Sequence, residues 1–303
     1  MRVLTIYRKT FGDLSNPKLL AGYLVPFLAV AWFFGLLLAD AVFTNATAPL
    51  AQQEAKLTAQ FLAVSFFWGA GIPVMALAAI LCANTLATEA EQGTLRILLS
   101  KPVSRWKILL GTFVAVVVFA GLAALANLLL SASLIVGMAD VTPAAIPEGI
   151  VATLPGTLLF ALFGASVVTA LGLALAVYTQ NRLKTALGAL VVPALYFVFW
   201  SIRALFTEAY EDYQLYFLDV NYHFGNAFVY LHEAVGTEFG IRTQLTLAPW
   251  TGVYERPAEE PETPPESLEV AGHVPMEVSV ALLSVVAVVA LVAAVYRFQQ
   301  MDV

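Results

Sequence analysis

The chain has 303 residues, of which 60% are hydrophobic and only 12% are charged, and its formal net charge is -6 at pH 7. A soluble domain carries roughly 25% charged residues. At half that charge a soluble fold cannot cover its surface with polar groups, so the composition excludes an ordinary soluble protein and indicates a chain whose apolar surface faces lipid. The single cysteine, Cys82, excludes an intramolecular disulfide and a cysteine-based metal site.

An amphipathic segment comes first in the chain. Within residues 1–17, apolar side chains such as Ile6 and Phe11 can share one broad helical face, and Arg8 and Lys9 lie largely on the other. This pattern predicts a helix that lies in the membrane interface ahead of the first span.

Six apolar stretches follow, and each is long enough to cross about 30 Å of hydrocarbon as a helix. Helix is the expected form, because lipid cannot satisfy free backbone polar groups. The predicted fold is therefore an all-α membrane protein in a single domain, residues 1–303, with six transmembrane helices. The predicted spans are 19–38, 61–86, 108–138, 150–178, 186–206 and 278–296.

The basic residues predict the orientation. With six spans both termini lie on one side, and that side holds most of the Lys and Arg residues. Because such an excess marks the cytoplasmic side, both termini are predicted to be cytoplasmic in a multi-pass protein of the cell membrane. The basic residues on this side are Arg2, Arg8, Lys9, Lys18, Arg96, Lys101, Arg105, Lys107, Arg182, Lys184 and Arg297.

The most distinctive motif lies in the predicted cytoplasmic loop between spans two and three. Glu89 and Glu91 begin a polar helical stretch, and Leu95 and Leu99 then form an apolar ridge. Pro102 ends the helix, since proline lacks a backbone donor and disfavours helix in the residue before it. The loop is therefore predicted to carry a short amphipathic helix held near the membrane by two stiff spans.

Two runs in this loop carry a family resemblance. They read Glu-Gln-Gly-Thr-Leu-Arg from Glu91 to Arg96 and Leu-Leu-Ser-Lys-Pro-Val-Ser-Arg from Leu98 to Arg105. Together they resemble the first intracellular loop of type-2 ABC exporter permeases, particularly of six-span members such as the permease of the nitrous oxide reductase maturation transporter. The N-terminal amphipathic segment, the six spans and the cytoplasmic termini also fit that family.

The resemblance implies a site and partners. In this family the loop is the coupling helix that docks on a separate ATPase subunit, and two such subunits bind ATP and Mg. A second permease, identical or related, completes the pathway. The implied coupling residues are Glu89, Glu91, Gly93, Thr94, Leu95, Arg96, Leu99, Pro102 and Arg105. The short basic loop with Asn181, Arg182 and Lys184 is expected to make a second ATPase contact or to serve only as a topology anchor.

A few polar side chains fall inside the predicted spans. Asn127 lies in the middle of span three with Ser131 one turn along the same face, and Asn84 lies near the predicted cytoplasmic end of span two. The stripe on span three either lines a translocation path or a permease interface, or it packs against another helix through one hydrogen bond. No relay of acidic or Lys residues lies within the predicted spans, which argues against a proton-coupled transporter.

The segment between spans five and six, residues 207–276, is predicted to lie outside the membrane. Its first part is rich in aromatic residues and is expected to form short helices at the outer membrane surface. Its second part, 256–269, is rich in Pro and Glu, which predicts disorder. Arg203, at the outer end of span five, is expected to pair with Glu208 or Glu211.

The three histidines also lie in this outer segment. The spacing of His223, His232 and His273 matches no recognised pattern of metal ligands, so they are expected to be surface residues. The sequence contains no phosphate-binding Gly-x-x-x-x-Gly-Lys-Ser/Thr motif and no common hydrolase motif. The chain itself is therefore predicted to have no catalytic residues, cofactor or metal, and no nucleic-acid partner.

These observations leave two functions in view. The first is the membrane permease subunit of an ABC transporter, working in export and driven by a separate ATPase. The alternative is a membrane scaffold or sensor that does not transport and that binds a partner through its acidic, aromatic outer segment.

Overall fold

The computed structural model describes residues 3–15, 21–30, 46–94, 104–255 and 266–301. In these ranges the regular elements are helical, with one isolated antiparallel bridge besides, so the all-α prediction is confirmed for the described chain. The α-helices are α1 (Val3–Leu14), α2 (Ala21–Val30), α3 (Leu50–Val64), α4 (Ile72–Cys82), α5 (Thr88–Glu91), α6 (Arg105–Met138), α7 (Ile146–Gly149), α8 (Leu154–Thr179), α9 (Arg182–Leu205), α10 (Thr207–Asp212), α11 (Val220–Ala234), α12 (Ile241–Thr251) and α13 (Met276–Gln299).

Five helical stretches in the described ranges are long and apolar enough to cross a membrane, and they coincide with predicted spans two to six. The five stretches are Leu50–Glu91, Arg105–Met138, Pro143–Thr179, Arg182–Leu205 and Met276–Gln299. Helix α2 is apolar and lies inside the predicted first span, 19–38, but its described length is only that of a shorter apolar helix. The remainder of that span falls outside the described residues, so the count of six stays a prediction.

The stretch Leu50–Glu91 is not one regular α-helix. Two π-helical turns, Ser65–Gly69 and Ala83–Ala87, interrupt it, and Gly71 leaves helical geometry at φ -85° and ψ -112°. The helix begins at Leu50, well before the predicted start at residue 61, because α3 continues past the apolar run to pack against α12.

The N-terminal helix packs along α6. Its residues Ile6 and Leu14 are buried, and a Cβ placed on Gly111 of α6 would come within 2.9 Å of Ile6 Cγ2. The rings of Phe11 and Phe119 meet edge to face at 5.6 Å. A helix is thus present in this segment, and much of its apolar face is covered by protein. Its position in the membrane interface stays a prediction.

Helix α8 lies at the centre of the bundle, in contact with α4, α6, α9, α11 and α13. Small residues allow this close packing. A Cβ on Gly172 would stand 2.9 Å from Cys82 Sγ, and a Cβ on Gly164 would stand 2.8 Å from the terminal methyl of Met75. A continuous buried core therefore forms around α8.

The first part of the outer segment forms short helices, and one of them, α11, is buried in the bundle. Its place relative to the membrane stays a prediction. Helix α11 packs against α8, α9 and α13, and its residues Phe224 and Phe228 are fully buried. The Phe228 ring meets Phe66 at 5.2 Å and Phe160 at 5.0 Å. The aromatic residues of α11 therefore fill a space between spans, where burial of the rings removes a large apolar area from water.

The second part of the outer segment, residues 256–269, is described only over 266–269, and this end is ordered. Residues 256–265 lie outside the described ranges. The Glu255 amide donates to the Glu269 carbonyl at 2.9 Å, and the Leu268 amide donates to Gln244 Oε1 at 2.7 Å. The prediction of disorder is therefore wrong for residues 266–269, whose backbone is held against α12.

Candidate functional site

Charged residues from distant parts of the sequence meet at one end of the bundle. We call Lys9, Glu89, Glu91, Arg105 and Arg182 the charged end. These residues come from α1, α5, the start of α6 and the start of α9, and they include four of the predicted coupling and secondary coupling residues.

An ion pair joins α1 to α5 at the charged end. The Lys9 Nζ lies 2.5 Å from Glu89 Oε1 and 3.6 Å from Asp13 Oδ2. Burial lowers the pKa of Lys9, but the hydrogen bond and charge of Glu89 outweigh it, and the net result is a raised pKa. Glu89 was predicted from the motif, whereas Lys9 was identified only as part of the polar face of α1.

Glu91 joins the two predicted cytoplasmic loops. Its Oε2 accepts a hydrogen bond from the backbone amide of Arg182 at 3.3 Å. Helix α9 begins here because Asn181 Oδ1 accepts from the Lys184 amide at 2.9 Å, which makes Asn181 the N-cap. The side chains of Arg182 and Lys184 are exposed. The short basic loop with Asn181, Arg182 and Lys184 is therefore tied to α5, and two of its basic side chains are exposed at the surface.

Arg105 holds the end of α13. Its Nη1 donates to the carbonyls of Phe298 at 2.7 Å, Gln299 at 3.0 Å and Met301 at 2.7 Å. A cation here satisfies carbonyls that have no partner within the helix and complements the negative end of the helix dipole. The resemblance placed Arg105 in the coupling loop, and the structure adds an intramolecular contact with the C-terminal helix.

The loop between α5 and α6 begins with a left-handed turn. Gly93 has φ +73°, the Thr94 hydroxyl donates to the Glu89 carbonyl at 3.2 Å, and Glu91, Gly93 and Thr94 are exposed. Glycine suits this position because other residues adopt positive φ at a cost. The predicted coupling residues that lie outside the described ranges are Leu95, Arg96, Leu99 and Pro102.

The polar residues of the spans make contacts between helices. Asn127 Nδ2 donates to Tyr23 Oη at 2.6 Å and to the Gly69 carbonyl at 3.3 Å, and both Asn127 and Ser131 are buried. This geometry favours helix packing over an exposed path. Asn84 lies half-buried in the second π-helical turn, where the helix departs from regular geometry.

An ion pair that was not predicted joins the end of α9 to the outer segment. Arg203 Nη1 lies 2.8 Å from Asp219 Oδ2, and the Asp219 side chain is fully buried. The predicted partners Glu208 and Glu211 are therefore wrong. Asp219 precedes α11 as its N-cap and accepts from the Tyr222 amide at 2.9 Å. An Asp directly before a helix is the signal that would have found it.

Further hydrogen bonds complete the surroundings of this ion pair. Arg203 Nη2 donates to Asn221 Oδ1 at 2.8 Å and to the Trp250 carbonyl at 3.1 Å, and Tyr210 Oη donates to Asp219 Oδ2 at 2.8 Å. Burial and the adjacent carboxylate raise the pKa of Tyr210 well above its usual value. The pair thus locks the start of α11 to α9 and to the end of α12.

Two of the three histidines are buried, so the expectation of surface histidines is wrong for them. His223 lies 2.9 Å from Ser279 Oγ through Nδ1 and 3.1 Å from the Phe217 carbonyl through Nε2. Nε2 is therefore the donor to the Phe217 carbonyl, because a carbonyl can only accept. His223 was assigned to the surface because its segment lies between two spans, and sequence position gave no indication that α11 enters the bundle.

His232 is the more deeply buried histidine. Its Nδ1 donates to the Phe228 carbonyl at 2.7 Å, and its Nε2 lies 3.1 Å from the Thr157 hydroxyl. Burial lowers the pKa of His232 to about 4, so the ring is neutral at pH 7. His273, by contrast, is partly exposed, stacks on Tyr216 at 4.2 Å and lies 3.5 Å from Glu211.

Comparison with known families identifies the class of protein. A family model described as ABC-2 family transporter protein matches residues 35–303, which include all five candidate spans and all of the charged end except Lys9. No curated protein sequence matches the chain. The chain therefore belongs to the ABC-2 transporter family, as a multi-pass membrane permease component.

Proposed function

We propose that this chain is the permease subunit of an ABC exporter and that ATP hydrolysis on a separate ATPase subunit drives it through the segment 88–105. The family match and the motif of Glu91–Arg105 support the proposal. The absence of a P-loop motif from the sequence supports an ATPase on another chain, which would bind ATP and Mg.

The proposed assembly has two permeases and two ATPase subunits in the cell membrane. Each permease, a single domain of residues 1–303, crosses the membrane six times with both termini in the cytoplasm, as the distribution of basic residues favours. The charged end then faces the cytoplasm, and the segment with Arg203 and Asp219 faces outward. Helix α2 belongs to the first span in this arrangement.

The observation that carries the proposal is the way in which the charged end connects the coupling segment to the bundle. Glu89 bonds to Lys9 of α1, Glu91 bonds to the start of α9, and Arg105 bonds to the end of α13. A push on this segment therefore reaches helices on several sides of the bundle at once. Rigid-body displacement of packed helices is the usual form of such a transition.

The π-helical turns give the proposed movement two places to bend. Turn Ala83–Ala87 lies directly before α5, and Thr85 within it has φ -104° and ψ -105°. Turn Ser65–Gly69 and the break at Gly71 lie further along the same stretch. Irregular turns of this kind concentrate at functional sites, where they allow one part of a helix to move relative to the other.

The direct test is assembly with the ATPase. The permease is co-expressed with its neighbouring ATPase, purified through a tag on the permease and reconstituted in nanodiscs, and both co-purification and ATP turnover are measured. Glu91→Arg and Arg96→Glu are expected to reduce both. Glu148→Arg is the matched control, because Glu148 is exposed and belongs to α7, away from the charged end. Unchanged co-purification and turnover in both test variants would overturn the proposal.

A charge exchange tests the connection to α1. Lys9→Glu or Glu89→Lys alone places like charges together, and each is expected to lower ATP turnover of the assembled complex. The double variant Lys9→Glu/Glu89→Lys restores the pair and is expected to recover most of the turnover. Failure of the double variant to exceed either single variant would show that the pair does not transmit movement.

A deletion in the outer segment distinguishes the scaffold hypothesis from the transport hypothesis. Removal of residues 256–265 is expected to leave co-purification and ATP turnover intact, since the flanking strand contacts at Glu255 and Glu269 can close over a shorter loop. A loss of cellular function confined to this deletion, with an intact ATPase complex, would favour the scaffold.

A further inference from the structure

Three buried side-chain oxygens beside the first π-helical turn lack a hydrogen-bond partner in the described chain. They are Ser65 Oγ, Asn127 Oδ1 and Ser131 Oγ. Ser65 and Asn127 are fully buried, and Ser131 is 2% exposed. Buried polar groups are nearly always paired, because leaving one unpaired costs its full desolvation free energy. Three such atoms near one position therefore require an explanation.

Two of these oxygens border the Cβ position of Gly69, and the amide that carries the third contacts the same residue. A Cβ on Gly69 would stand 3.5 Å from Ser65 Oγ and 3.7 Å from Ser131 Oγ. Asn127 Nδ2 donates to the Gly69 carbonyl at 3.3 Å, so the amide group of Asn127 also contacts Gly69. Leu128 Cδ2, 3.2 Å from the same point, closes a further side. The missing side chain of Gly69 leaves a recess with a largely polar wall.

The π-helical turn creates this recess. The Ala70 amide donates to the Ser65 carbonyl at 2.7 Å, five residues back, which widens the turn. The Ser65 and Ser131 hydroxyls make no bond to their own helices, although serine in a helix often bonds to the carbonyl four residues earlier. Both hydroxyls thus remain available to a molecule in the recess.

The groups around the recess define what it can hold. The two hydroxyls and the amide are neutral, so nothing there offsets the charge of an ion. An amide oxygen can only accept a hydrogen bond, whereas a hydroxyl can donate and accept. The complementary guest is small and neutral, and it must be able both to donate and to accept. Water meets these conditions, and buried water typically makes about three hydrogen bonds to such groups.

We propose that the Gly69 recess binds a single buried water molecule, which donates to Asn127 Oδ1 and exchanges hydrogen bonds with the hydroxyls of Ser65 and Ser131. The water joins the irregular turn of one membrane stretch to α6. Through the bond from Asn127 to Tyr23 Oη, the same network extends to α2.

Replacement of Gly69 tests the site, because a serine would place its own hydroxyl where the water lies. Gly69→Ser and Gly69→Ala are purified in the same detergent, and their apparent Tm values are compared. With a bound water, Gly69→Ser is expected to melt at least about 2 °C above Gly69→Ala, since serine replaces the water's bonds and alanine only displaces it. Because serine also pairs with the two hydroxyls in a dry recess, this order shows only that the hydroxyls accept a partner here. Alanine that melts at the same temperature or higher, as the better helix former, shows that they do not. That order would overturn the proposal.

The same comparison in a variant that lacks both hydroxyls shows whether they cause the difference between serine and alanine at position 69. In the Ser65→Ala/Ser131→Ala variant the advantage of serine over alanine at position 69 is expected to disappear. An advantage that persists does not come from these partners, and it would contradict the site. A cryo-EM map of the unmodified protein at about 2 Å decides whether a water molecule is present. A density peak within hydrogen-bond distance of Ser65 Oγ, Asn127 Oδ1 and Ser131 Oγ is expected, and an empty recess overturns the proposal.

Discussion

Gly252 lies directly against the guanidinium of Arg203, so that a Cβ on Gly252 would stand 2.6 Å from Arg203 Cζ and Nη1. Gly252 also has φ +70°, a conformation that other residues adopt at a cost of about 1–2 kcal/mol. We expect Gly252→Ala to lower the apparent Tm of the purified protein, because alanine is both strained and in collision with a buried ion pair. Thermal unfolding of the variant measures this loss.

Gly236→Ala separates the two causes. Gly236 has φ +82°, and nothing lies within 4 Å of its Cβ position, so alanine there carries only the backbone cost. We expect the loss at Gly252 to exceed the loss at Gly236. Equal losses would mean that Arg203 moves aside freely and that its bonds contribute little.

Asp219 is expected to be among the most sensitive positions outside the spans. Asp219→Asn keeps an N-cap oxygen for the Tyr222 amide but leaves Arg203 without a counter-charge. Breaking one side of a buried pair typically costs about 3–5 kcal/mol. Arg203→Met/Asp219→Asn removes both charges and is expected to recover part of that loss in apparent Tm. A double variant less stable than Asp219→Asn would contradict this account.

Because His232 is buried, we expect the stability of the protein to fall in mild acid. Its pKa is about 4 in the folded protein and near 6.5 in an unfolded chain, so the unfolded state binds the proton first as the pH drops. The contribution of neutral His232 to stability is therefore fully present above pH 6.5 and is lost as the pH falls toward 4. The free energy of unfolding is expected to drop by roughly 2 kcal/mol between pH 7 and pH 5. The measurement is apparent Tm against pH, and His232→Gln is expected to flatten this slope. An equal slope in both proteins would assign the effect to other groups.

Arg105 is expected to stabilise the end of α13. Arg105→Ala leaves three carbonyls without their cation, which we expect to cost about 1.5–3 kcal/mol of stability. Hydrogen exchange in the last turn of α13 is expected to become faster. Lys107→Ala, two residues away, is the control and is expected to change stability by less than about 0.5 kcal/mol. Unchanged exchange in Arg105→Ala would mean that this end is held by packing alone.

Hydropathy was sufficient to find five of the spans but not the depth of α11. A run of apolar residues longer than a bilayer has few alternatives to a transmembrane helix. Helix α11 mixes aromatic residues with Asn221, His223 and Asn226, a composition that suits a surface as well as an interior. Its polar groups are paired in the interior with Asp219, which directly precedes the helix, and with Ser279, which lies more than 50 residues from its partners in sequence. Such pairing is decided by tertiary structure, which local pattern does not encode.

The charged end was predictable in its residues but not in its connections. The motif identified Glu89, Glu91 and Arg105, because an unusual run of residue types stood out in a loop. It could not identify Lys9 or the carbonyl of Phe298 as partners, since these lie 80 and 193 residues away in sequence. A charge pattern predicts that a group needs a partner, whereas the fold determines which one it meets.

The two π-helical turns change how the stretch Leu50–Glu91 should be compared with other sequences. Each inserts one extra residue into the helix, and one residue corresponds to about 100° of rotation. A helical wheel drawn through the whole stretch would therefore assign Leu77 and Glu89 to the wrong sides relative to Leu57. Substitution scans here are best interpreted in three separate registers, and a homologue that is one residue shorter at either turn can still present the same faces.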